Sequence, residues 1–242
     1  MKNKNNLLFL GLTVLCGGIA AVLRMLMLTA GVDEKGLLVA AQPCNTALWV
    51  LSVGYLGVLL VLLRRLGGNG SFENNFPACK IRGGLSVVGG VVLLVESGLQ
   101  LMAAQWLMGV VGLLAGLAMI GAGASRFGGK RPNPLMHTLV CVFFILRLIG
   151  SFRSWSSDPQ LQDYALQMMA CVCLMLFSFH RASCDADLIN RRRTVFFGLA
   201  AAYFCLASLS DKTMPLLFLG AGVWTVGAGC NLQELPREEK TV

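Results

Sequence analysis

The sequence predicts an all-α polytopic transmembrane helical bundle of about eight spans with both termini on the cytoplasmic side, and three observations predict it. Of 242 residues, 56% are hydrophobic and only 13% are charged, and the mean hydropathy is +0.70, so the polar cover that a water-soluble globule needs is lacking. Long apolar runs fill nearly the whole chain without period-two alternation, the pattern of lipid-spanning helices and not of barrel strands. Lys and Arg concentrate in alternate loops. An apolar helix needs about 20 residues to cross the hydrocarbon core. Eight crossings therefore use most of the chain, and residues 1–242 read as a single integral membrane helical domain.

The first span, 7–30, follows the polar stretch Met1 to Asn6 and exceeds the h-region of a signal peptide, so it reads as a retained anchor. The bulky Leu15 before Cys16 argues against a lipoprotein cleavage site. The second span is 45–63. The third and fourth, 85–105 and 107–125, are separated only by Gln105 to Gly109. One helix of their joint length would overshoot any bilayer, so they form a tight hairpin. The fifth span, 135–152, leads into a polar loop, and the sixth, 161–180, starts behind Asp158 as N-cap and Pro159 at the first helical position. The seventh and eighth are 194–210 and 214–232.

With the amino terminus inside, this count puts Lys2, Lys4, Arg64, Arg65, Lys80, Arg82, Arg126, Lys130, Arg131, Arg181, Arg191 to Arg193, Arg237 and Lys240 on the cytoplasmic side. Only Lys35, Arg153 and Lys212 fall outside, which is the positive-inside pattern of an N-in, C-in protein. The net charge of +8 thus belongs mostly to one face, where Arg64-Arg65 and Arg191 to Arg193 attract anionic lipid headgroups. Basic residues that flank spans do not form a nucleic-acid surface.

The nine cysteines contain no CxxC, and six of them lie within spans, where a thiol behaves as a small hydrophobe. No metal site and no cofactor is expected. His137 and His180 fall near the inner ends of their spans, with interfacial packing as the default role. Gly112 and Gly116 on span four, and Gly198 with Ala202 on span seven, have the spacing that lets helix backbones approach closely. Such faces serve packing within the bundle, with oligomer formation as the second reading.

Three charges, Arg24, Glu96 and Arg147, sit within spans, at overlapping depths in the outer half of the bilayer or at its centre. A charge at mid-membrane costs at least about 2.5–3.5 kcal/mol, so these groups should face the bundle interior. Glu96 pairs first with Arg147 in this reading, with Arg24 as the second partner. Gln100 lies one turn from Glu96 on the same face. An internal salt bridge and a functional cluster explain the set equally well, and Arg24 has the length to snorkel to the outer headgroups.

The outer loop after span five supplies candidate mouth residues, Ser151, Arg153, Trp155, Asp158, Asp163 and Tyr164. Arg147, Ser151 and Trp155 share one helix face, while Trp155 and Tyr164 also suit an interfacial belt and Asp163 the positive end of the sixth span. The segment Phe152-Arg153-x-Trp155-Ser156-x-Asp158-Pro159-x-Leu161-x-Asp163-Tyr164-Ala165, with Leu23-Arg24 and Gly36-Leu37, resembles a family of polytopic membrane proteins of clostridial gut bacteria that has no known activity. The resemblance implies a bacterial plasma membrane and nothing about chemistry. Leu23-Arg24-Met25-Leu26 and Leu146-Arg147-Leu148-Ile149 echo one another four spans apart, which would give two four-helix halves.

Three function classes remain open. A transporter or small-solute binding protein would place Glu96 and the arginines in a cavity, and this class is favoured. A non-catalytic sensor or assembly protein would use the basic loops and glycine faces to hold a protein partner. A membrane-embedded lipid-modifying enzyme would need a nucleophile, base or metal constellation, and no such motif is found in the sequence.

Overall fold

The computed structural model describes residues 4–30, 42–64, 66, 70–155, 164–211 and 214–232. Among them the chain is helical throughout: α1 (Lys4–Ala30), α2 (Pro43–Leu63), the single turn α3 (Phe72–Asn75), α4 (Lys80–Met102), α5 (Trp106–Phe127), α6 (Pro134–Trp155), α7 (Ala165–Asp185), α8 (Arg191–Ser208) and α9 (Pro215–Ala228). Six of these, α1, α2, α4, α5, α6 and α7, are long and apolar enough to cross a membrane. The protein is a helical membrane bundle, and its outward faces are apolar, with Val50, Val53 and Val61 of α2 each more than half exposed. In water such faces would aggregate; in a bilayer they meet acyl chains.

The last two expected spans differ from the first six. At 1.5 Å per residue, the 18 residues of α8 extend about 27 Å and the 14 of α9 about 21 Å, short of a hydrocarbon core about 30 Å thick. The helix expected over 214–232 ends at Ala228. α8 is the least apolar of the eight long helices for a reason: it lies inside the bundle, packed by α1, α2, α7 and α9. Ala200, Ala201, Tyr203, Phe204, Cys205 and Ala207 are all buried on it, so almost no part of its wall has to be lipid-compatible.

Local chemistry sets the boundaries. Pro43 and Pro215 start α2 and α9 where a missing N–H is harmless. The Asn190 side chain caps α8 by accepting from the Arg193 N–H at 3.3 Å, and Ser71 caps α3 by accepting from Asn74 at 3.4 Å. The hairpin between α4 and α5 is confirmed, with its turn at Ala103 to Gln105 and Trp106 to Gly109 already inside α5. It closes by a paired capping arrangement in which the Gln105 N–H donates to the Gln100 carbonyl (2.9 Å) and Ala104 to Leu101 (3.1 Å), with Ala104 at φ 59°. The same arrangement ends α5 at Gly129 and α7 at Asp187, both at positive φ.

α4 forms the second centre, between α5 and α9. A Cβ on Gly89 would lie 2.6 Å from the Gly220 carbonyl oxygen, and one on Gly90 would lie 2.9 Å from that of Gly116. Backbones this close explain the small residues along α4, α5 and α9. The expected division into two four-helix halves is not observed. α1 and α2 share no substantial interface with α4 and α5, and the two pairs are joined instead through α8 and α9. The reason is composition: the Ala-rich α8 and the Gly-rich α4 and α9 allow the closest approaches and therefore occupy the middle.

Candidate functional site

Among the described residues, buried charged side chains gather in two layers, one toward each end of the bundle. The layer at the end where α1 finishes contains every intramembrane charge singled out from the sequence. Arg24, Glu96, Gln100 and Arg147 are all buried, each no more than 8% exposed, and Ser151 is buried with them. The structure sorts them into a closed tie and an open set.

The closed tie centres on Asp211, in the turn between α8 and α9. Arg24 Nε of α1 donates to Asp211 Oδ1 at 2.8 Å, and Gln167 Nε2 of α7 donates to Oδ2 at 3.1 Å. Ser210 Oγ donates to the Ala21 carbonyl at 2.7 Å. Both carboxylate oxygens are occupied and three helices are joined. Arg24 is therefore a partner of Asp211 and neither snorkels nor pairs with Glu96. Asp211 stands at the edge of an expected span, a position where the sequence alone makes a carboxylate look solvated.

The open set lies among α4, α5 and α6. Gln100 Nε2 donates to Glu96 Oε1 at 3.1 Å, one turn along α4, and Gln100 Oε1 has no hydrogen-bond partner. Arg147 of α6 lies within electrostatic range of Glu96 and of Cys171, but no ion pair joins Glu96 to Arg147. The expected salt bridge is thus absent: Glu96 and Arg147 are both buried toward this end of the bundle, and no ion pair joins them. On α5, a Cβ on Gly112 would meet Ser97 Oγ of α4 and, at 3.2 Å, the Phe143 ring of α6, so side chains of α4 and α6 converge on this one face of α5. One turn outward, Gly109 meets Leu101 of α4 and Met108 meets Gly150 of α6. Arg147 falls between these two levels, at the depth of Glu96 and Gln100.

Of the expected mouth residues, Ser151 is buried and Arg153 is exposed at the end of α6, and Tyr164 is half-buried just before α7. Asp158 with Pro159, Asp163 and the side chain of Trp155 lie outside the described residues.

The second layer, at the opposite end, is richer than the sequence suggested. Asp185 of α7 accepts from Arg181 Nη1 at 2.5 Å and lies 2.6 Å from His137 Nδ1 of α6, with all three side chains buried. Far from being an interfacial packing residue, His137 is held in a hydrogen-bonded charge cluster. The guanidinium of Arg181 lies 3.7 Å above the Phe76 ring, and Arg126 of α5 donates to the Gly227 and Gly229 carbonyls at 2.7 and 2.9 Å, closing the end of α9. Arg191 Nη2 donates to Asn231 O at 2.8 Å, and the Asn231 N–H to Asn75 O at 2.7 Å. The signals for this layer were present: Arg181 and Asp185 are four apart on one helix, and Phe72 and Phe76 interrupt a polar loop. In the loops of this end Arg131 holds Asp187 at 2.8 Å, and that bond keeps the Asp187 carboxyl below its ordinary range.

A third group ties the middle of the bundle. Thr13 of α1 hydrogen-bonds Tyr55 of α2, and Ser52 of α2 hydrogen-bonds Tyr203 of α8, each at 2.8 Å, with the two tyrosine rings stacked 4.5 Å apart. Among the described residues no group of three or more His, Cys, Asp or Glu is placed to hold a metal ion.

No family model, curated protein or solved structure matches this chain. What fold and site define together is a multi-pass integral membrane protein, an α-helical bundle with buried ionisable groups toward both ends.

Proposed function

We propose that the protein binds and moves a small polar solute across a bacterial plasma membrane, with Glu96, Gln100 and Arg147 as its recognition site. One observation carries this reading. A carboxylate and a guanidinium are buried toward the same end of the bundle, yet no ion pair joins them. Desolvated charges that serve only packing close onto one another, as Arg24 and Asp211 do. Charges held apart suit a ligand that inserts between them, and a solute carrying both an acidic and a basic group matches the pair. The acidic group would meet Arg147 and the basic group Glu96, with Gln100 Oε1 as a further acceptor.

Orientation follows the distribution of Lys and Arg: the end bearing the Arg181 and Asp185 layer faces the cytoplasm, and the recognition site opens outward past Ser151. The bacterial plasma membrane rests on the family resemblance of the segment around Arg153.

Cysteines at Gln100 and Ser151, in a Cys44→Ser background, report water access from outside. Reaction of both with a membrane-impermeant thiol reagent, and protection by a panel of small zwitterions, supports the site. If neither reacts while a cysteine at Arg153 labels fully, the cluster is sealed and the transport reading fails; a helix-packing, assembly role then takes its place.

A further inference from the structure

At the basic end, α2 and α8 diverge and α7 backs the gap, leaving a cleft of about 460 Å³ lined by Leu60, Leu63, Arg64, Leu176, His180, Arg192, Arg193, Phe196 and Phe197. Its chemistry is divided. Leucines of α2 and α7 and the two phenylalanines of α8 make an apolar floor, on which the His180 ring stacks against Phe197 at 5.4 Å, 11° from parallel. Arg64, Arg192 and Arg193 are exposed around it, and among the described residues no carboxylate lines it. Among the described residues, Arg64 and Arg193 have no ion pair, whereas Arg131 on the same end is matched by Asp187. Arg192 leans on the Leu66 carbonyl at 3.3 Å, which fixes one side of the rim.

We infer that this cleft is a binding site for one anionic phospholipid, with its phosphate between Arg64 and Arg193 and an acyl chain along Leu60, Leu176, Phe196 and Phe197. A soluble anion would use the arginines and leave the apolar floor wet; a neutral lipid would use the floor and leave three cations without a counter-charge. An anionic amphiphile satisfies both halves, and basic pockets between helices at a membrane surface take lipid headgroups by this chemistry. The inference does not rest on the solute site, which lies in the other layer of the bundle.

The test uses the full-length protein in nanodiscs of phosphatidylcholine carrying increasing phosphatidylglycerol, with bound lipid counted by native mass spectrometry after gentle release. The wild type should retain one phosphatidylglycerol preferentially. Each basic residue near a membrane surface contributes about 1 kcal/mol, so Arg64→Gln or Arg193→Gln should weaken retention about fivefold and the double variant about thirtyfold. Lys130→Gln, an exposed charge of the same end outside the cleft, should leave it unchanged. Phe197→Ala should also weaken retention, which separates a lipid from a headgroup-sized anion, and glycerol phosphate at millimolar concentration should not compete. Equal retention of phosphatidylcholine, full retention in the double variant, or a loss with Lys130→Gln as large as with Arg193→Gln would overturn the inference.

Discussion

Replacing Asp211 by Leu should unfold this protein more readily than any other single change in the turn between α8 and α9. Arg24 Nε stands 2.8 Å from the carboxylate, and the two side chains are 4% and 5% exposed. At an effective dielectric near 20, unit charges about 3 Å apart attract by roughly 5–6 kcal/mol, most of which offsets the desolvation of both groups. The intact pair therefore contributes little net stability. Removing the carboxylate takes the Asp211 charge away from the desolvated Arg24 guanidinium, a loss of about 3–5 kcal/mol, and the Gln167 hydrogen bond goes with it at about 1 kcal/mol more. Arg24→Met should be of similar size, because it strands Asp211. The double variant Arg24→Met with Asp211→Leu should recover at least 2 kcal/mol relative to the sum of the singles. Equilibrium unfolding in mixed micelles, followed by helical ellipticity, measures all three. Single effects below about 1 kcal/mol that simply add would refute the argument, since a sealed ion pair cannot behave in that way.

Asp185→Ala should cost about 3–5 kcal/mol, because it removes the carboxylate from both Arg181 and His137, whereas Asp187→Asn should remove at neutral pH only the small contribution of a solvent-screened bond. Arg131 keeps the folded Asp187 carboxyl below its unfolded value of 3.8, so the stability it adds is present above that pH and is lost as pH falls through the lower folded value; Asp187→Asn should flatten that part of the acid limb in a pH series of unfolding midpoints, and an unchanged acid limb would discount the bond. Gly89→Ala should destabilise the contact between α4 and α9 by about 1–3 kcal/mol, since its Cβ would meet the Gly220 carbonyl at 2.6 Å, while Gly84→Ala and Gly98→Ala, with open space around them, should be neutral or slightly stabilising in the same assay.

Much of the fold was legible because lipid imposes a simple rule, that a segment facing acyl chains must be apolar along its length. The first six long helices obey it and their ends were readable to within about five residues, except that α7 starts at Ala165 with Tyr164 as its N-cap and not behind Asp158. α8 and α9 obey a different rule. They are covered by protein, so length and hydropathy lose their hold, and small residues decide the packing. The turns divide similarly. Gly129 announces its left-handed conformation, but Ala104 and Asp187 take the same conformation in residues that give no such signal. The candidate site was readable as a set of residues and not as a set of pairs. Arg24, Glu96 and Arg147 share a depth, and depth alone cannot reveal that Asp211, hidden in a turn, takes Arg24.

That pairing changes the meaning of what is left. Among the described residues three carboxylates are buried, Glu96, Asp185 and Asp211, and they differ in how fully they are used. Asp211 has one oxygen on Arg24 and the other on Gln167; Asp185 has one on Arg181 and the other on His137. Each joins separate segments of the chain, as a structural tie should. Glu96 receives one hydrogen bond, from Gln100 on its own helix, and joins nothing. A carboxylate that contributes no contact between helices gives packing no reason to retain it, and replacing it by a hydrophobe would relieve the desolvation it imposes. Arg147 is in the same position on α6. Two charges of opposite sign buried without partners destabilise the bundle, and under the proposed reading a bound solute would supply the missing partners and restore that stability. Glu96→Leu and Arg147→Leu should therefore raise the stability of the ligand-free protein while abolishing its response to added zwitterion. Asp211→Leu and Asp185→Ala should do the reverse, lowering stability and leaving the response in place in whatever fraction stays folded.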